Sequence, residues 1–80
     1  MNASPRLQWQ CRRGMRELDE LLQGFLRNGY DTLDARGHAV FEELLTTHDN
    51  LLLEYLMGRT VPVDPQTAHV VAEIRRSARP

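Results

Sequence analysis

Apolar side chains at Met15, Leu18, Leu21, Leu22, Phe25 and Leu26 fall at helical spacing. That spacing gathers them on one face of an α-helix, whereas a strand would split them between two faces. Gly14 stands just before the stripe, and Asn28 and Gly29 just after it, so helix-stopping residues close the segment at both ends. A helix with one long apolar face has to bury it against other elements. The rest of an 80-residue chain must supply them, which makes this a single small domain.

The remaining segments read the same way. Ser4 and Pro5 fit the N-cap and first position of a helix over about 5 to 13, with Leu7 and Cys11 on one side and Trp9 on another. Arg12 and Arg13 would then lie in its last turn, where cations favour the helix dipole. Asp34 caps a third helix to about 47, with Val40, Phe41, Leu44 and Leu45 inward and Gly37 costing about 1 kcal/mol relative to alanine. A short fourth helix follows over about 50 to 57, capped by Asp49, ended by Gly58, with Leu52, Tyr55 and Leu56 facing in. Asp64 and Pro65 open a fifth, with Val70, Val71, Ile74 and Ala78 as its stripe. No segment alternates convincingly. The expected fold is all-α: residues 1–80 as one compact bundle of about five short helices, with a basic C-terminal tail fraying from about 76.

Composition narrows the function. A net charge of −1 gives no global basic field, which argues against nucleic acid as a partner. All ten basic residues are arginines, and arginine suits protein interfaces because its planar fork pairs with carboxylates through two hydrogen bonds. The lone Cys11 cannot form an internal disulfide, which suits a reducing compartment. The longest apolar run, at Leu51, Leu52 and Leu53, is far too short to span a membrane, and the first ten residues carry no apolar signal core. The cytoplasm is therefore the expected location, with no membrane insertion.

Candidate chemistry is thin. Cys11, His38, His48 and His69 lack the paired spacing of metal ligands, so no metal site is expected. Cys11 beside Arg12 and Arg13 has a route to thiolate character, but no orienting group or oxyanion hole accompanies it, so no catalytic residue is assigned. Glu17, Asp19 and Glu20 suit the first turn of the second helix without any further role. Acids follow Arg12, Arg13 and Arg16 at once, and aromatic interleaving is missing, which weakens them as a nucleic-acid patch.

Arg13, Gly14 and Glu17 are a more pointed set. On a continuous helix Arg13 and Glu17 would share a face; if Gly14 breaks the chain, they flank a helix–helix corner. Glycine permits a close backbone approach, and a charged pair beside it can make directed hydrogen bonds to a partner. An intramolecular salt bridge closing the corner explains the same residues equally well.

The stretch "WQCRRGMRELDELLQGFL" resembles the signature of the succinate dehydrogenase flavinylation factors, the SdhE-type proteins also called succinate dehydrogenase assembly factor 2. The resemblance lies in an Arg-Gly-x-x-Glu motif within Trp9, Cys11, Arg12, Arg13, Gly14, Met15, Glu17, Leu18 and Asp19. It continues through "YDTLDARGHAVFEELL" and "YLMGRTVPVD", covering about residues 8 to 64. Tyr55 stands where the family commonly has tryptophan, Gly37 where it has glutamate, and the usual acidic pair before the fourth helix is reduced, because Asp49 is followed two residues later by Leu51.

The resemblance implies an assembly factor rather than an enzyme. It would bind the flavoprotein subunit of succinate dehydrogenase, with fumarate reductase as a second candidate, and promote covalent attachment of FAD to a histidine of that subunit. FAD is then the partner's cargo, with no stably bound cofactor here. Arg13, Gly14 and Glu17 take the motif's place at the contact surface, with Arg12 and Arg16 as weaker candidates. The rival class is a regulatory, antitoxin-like binding module with no part in flavinylation.

Overall fold

A computed structural model describes residues 4–78. Ser4 Oγ accepts from Leu7 N–H at 3.2 Å and Pro5 follows, which starts α1 at Pro5–Gln10. α1 stops there, with Cys11 as its C-cap, so Arg12 and Arg13 lie beyond the helix and not in its last turn. The chain turns at Gly14, whose φ of +85° is a left-handed conformation that glycine adopts without strain. α2 follows at Arg16–Asn28 with Met15 as its N-cap. A 3-10 turn at Tyr30–Thr32, which the sequence pattern shows only as a break, carries the chain to α3 at Ala35–Leu44.

Asp34 Oδ1 accepts from Gly37 N–H at 2.8 Å, as its N-cap position requires. Gly37 is close-packed: a Cβ there would come within 3.0 Å of Leu33 Cβ. α4 spans Asp49–Leu56. Its N-cap is His48 without a side-chain bond; Asp49, expected as the cap, is instead the first helical residue, and its carboxylate pairs with Arg13. Gly58, at φ +78°, turns the chain out of α4. Asp64 Oδ2 accepts from Thr67 N–H at 3.0 Å and opens α5 at Pro65–Ser77. α5 stays regular through Arg76 and Ser77; positions 79 and 80 of the expected tail lie outside the described residues.

α2 and α5 pack on each other, with α3 against α5 and α4 against both. Leu18, Leu22 and Phe25 of α2, Phe41 of α3, Leu52 of α4, and Val70 and Ile74 of α5 are fully buried. The Phe25 and Phe41 ring centroids are 5.2 Å apart, and Tyr30 meets both edge-on. His38 stacks on Tyr30 at 4.1 Å, and its Nε2 donates to Tyr30 O at 2.8 Å, since a carbonyl oxygen can only accept. Ala78 follows the C-terminus of α5 as its C-cap and is exposed, so it is not part of the inward stripe.

Candidate functional site

The corner between α1 and α2 separates motif side chains that face inward from those that face out. Arg13 faces inward. Its Nε donates to Asp49 Oδ1 at 2.8 Å, one terminal nitrogen to Leu45 O at 2.8 Å and Gln10 O at 3.3 Å, and the other to Thr47 O at 3.0 Å. Four of the five guanidinium N–H donors are thereby used. The acceptors suit a cation. Leu45 is the C-cap of α3, where unpaired carbonyls carry the negative end of the dipole. Asp49 belongs to the first turn of α4. The Arg13 main-chain N–H donates to Asp19 Oδ1 of α2 at 2.6 Å. One residue thus ties α1, α2, the end of α3 and the start of α4 together. Lysine, with a single ammonium, could not reproduce the fork.

Arg13 and Glu17 therefore do not close the corner as an ion pair: the salt bridge is Arg13–Asp49. Glu17 is the second residue of α2, exposed, with no hydrogen bond or ion pair among the described residues. Gly14 is exposed too, and a Cβ built on it would meet nothing within 4 Å. The space beside it is open, so φ rather than crowding is what demands glycine. Arg12 and Arg16 flank this face and are both exposed. Arg16 reaches Glu20 at 3.4 Å, a wide, solvated pair worth a few tenths of a kcal/mol. Trp9 of α1 is 74% exposed, an unusual position for an indole, and it stands one turn before the corner.

Below the corner, Cys11 is fully buried, and burial pushes its thiol up to about 12 from an ordinary 9.0 against the opposing pull of Arg13. A neutral, enclosed thiol is a poor nucleophile and a poor metal ligand. His48 and His69 are exposed and His38 is engaged with Tyr30. Among the described residues no group of three or more His, Cys, Asp or Glu side chains is placed to hold a metal. Among them, too, no helix is long and apolar enough to cross a membrane.

The sequence reading overlooked Asp19 and Asp49 as the partners of Arg13. Their signal was weak, because acids in first helical turns have a sufficient reason to be there already. It also overlooked a shallow groove of about 400 Å³ that runs from Glu17 past Leu21 and Gly24 to Met57.

Known proteins resemble this chain over most of its length. Residues 5–78 match the family described as "Flavinator of succinate dehydrogenase". The chain is 41% identical over 75 residues to the FAD assembly factor SdhE of Shewanella oneidensis, covering 94% of this chain and 92% of that one. It is 44% identical over 70 residues to the protein of that name from Legionella pneumophila, strain Paris, covering 88% and 87% of the two chains. The Coxiella burnetii protein of that name is 34% identical over 74 residues, covering 92% and 90%. The chain belongs to the succinate dehydrogenase flavinator family.

Proposed function

We propose that this protein docks on the flavoprotein subunit of succinate dehydrogenase through the α1–α2 corner and promotes covalent attachment of FAD to a histidine of that subunit. The observation that carries the reading is the pairing of an open, left-handed Gly14 with a Glu17 carboxylate that has no partner among the described residues, both exposed at the start of α2. A partner backbone can lie against Gly14, and Glu17 can accept hydrogen bonds from it. Arg12 and Arg16 border the contact, and Arg13 lies beneath it. The reacting atoms all belong to the partner and its flavin. The factor's part is to hold the immature subunit so that flavin and histidine meet in a productive orientation, a gain of proximity rather than of new chemistry. FAD is thus the cargo of the partner, and fumarate reductase is a second candidate for that partner. The proposed setting is the cytoplasm, consistent with a lone cysteine held as a thiol.

The test is flavinylation of the cognate apo-flavoprotein with FAD, with and without this protein, read as FAD fluorescence that survives denaturation. Faster or more complete covalent incorporation supports the proposal. Equal incorporation in both arms contradicts it and leaves a regulatory binding module as the better account.

A further inference from the structure

We propose that Asp49 is a positioning residue of the docking corner, acting through Arg13 rather than by touching the partner; this rests on the corner being the docking surface. Arg13 has a side chain only 16% exposed, and its donors are spent on Gln10 O, Leu45 O, Thr47 O and Asp49. It has little left to offer outward. What it can do is fix where Gly14 and Glu17 sit. Two carboxylates from different helices anchor it: Asp19 of α2 takes its main-chain N–H, and Asp49 of α4 takes its guanidinium.

Asp49 is the anchor farther from the corner in sequence, 36 residues from Arg13. Without it the guanidinium keeps three carbonyls but loses its ion pair. The glycine turn then has more freedom relative to the first turn of α2. A looser turn has to be ordered on docking, and that ordering weakens binding without changing what happens once the complex is formed.

The experiment combines Asp49→Ala, its conservative partner Asp49→Glu, and Arg13→Met, which keeps an apolar stem without the fork. In the flavinylation assay, Asp49→Ala should raise the factor concentration for half-maximal rate by about 3- to 10-fold. The rate at saturating factor should stay the same, and Asp49→Glu should recover part of the loss. In the Arg13→Met background, Asp49→Ala should have almost no further effect. Amide hydrogen exchange in the free protein gives a readout that needs no partner. Asp49→Ala should speed exchange at the Arg13 N–H, which Asp19 holds, and leave Leu22 and Phe25 protected as before.

Unchanged exchange at the corner would overturn the proposal, as would an Asp49→Ala protein that docks normally. A loss that persists undiminished in the Arg13→Met background would also overturn it, by making Asp49 a direct contact. Global unfolding of Asp49→Ala would overturn it by making the residue a brace of the whole fold. If the wild-type protein promotes no flavinylation at all, the docking reading fails first, and the exchange result still decides whether Asp49 holds the corner.

Discussion

Asp19 Oδ1 lies 2.6 Å from the main-chain nitrogen of Arg13, across the left-handed turn at Gly14. Glu17, two residues earlier on the same helix, has no partner among the described residues. Two acids in one helical turn thus have opposite duties. Asp19 closes the corner, and Glu17 is left free on its outside.

The first prediction follows from Asp19. It is half-buried, and its replacement leaves the Arg13 N–H without an acceptor. Asp19→Ala should therefore lower stability by about 1.5 kcal/mol, read as an earlier midpoint in urea unfolding with an unchanged slope. A midpoint equal to that of the wild type would mean that solvent replaces the carboxylate at no cost.

A second prediction concerns the centre of the core. Phe25 is fully buried, 5.2 Å from Phe41 and edge-on to Tyr30. Phe25→Ala should cost about 3–5 kcal/mol. That is a large share of the stability of so small a domain, so loss of cooperative thermal unfolding is the expected result. Wild-type-like melting would contradict the packing described above.

The third is a pH dependence. Burial raises the Cys11 thiol from 9.0 to about 12, so the unfolded chain gives up this proton before the folded one does. The contribution is fully present below pH 9.0 and is lost as pH rises towards 12. Tyr30, also raised, adds to the same alkaline decline. Cys11→Ser should show a shallower fall in thermal midpoint above pH 9.0 than the wild type does. In its folded form it should still support flavinylation. Abolished activity in a well-folded Cys11→Ser protein would return the thiol to the mechanism.

How far the sequence foretells this structure depends on the range of the interactions. The α2 stripe from Met15 to Leu26 was legible because its period is local, and so were Ser4, Asp34 and Asp64 as caps, each bonding the N–H three residues on. The corner at Gly14 was legible as a stop signal. The role of Arg13 was not. Its ion-pair partner is 36 residues away, and nothing in a 3.6-residue period reports on such a contact. Asp49 even misled, because an acid at a helix start looks like a cap, and the fold uses it as the counter-ion of an arginine from another corner. The 3-10 turn at Tyr30–Thr32 was hidden for a related reason: Tyr30 is held there by Phe25, Phe41 and His38, which are tertiary neighbours.

The central claim is that the outward face of the corner serves a partner while its inward face serves the fold, and Glu17→Ala tests it most directly. Glu17 is exposed and unpartnered among the described residues, so removing its carboxylate should move stability by no more than about 0.5 kcal/mol. The measurement is covalent FAD incorporation into the cognate apo-flavoprotein, together with the affinity of the variant for that subunit and its thermal midpoint. The expected result is a folded, helical protein with a wild-type midpoint that binds the subunit more weakly and no longer supports flavinylation. Normal binding and flavinylation by a folded Glu17→Ala protein would contradict the account.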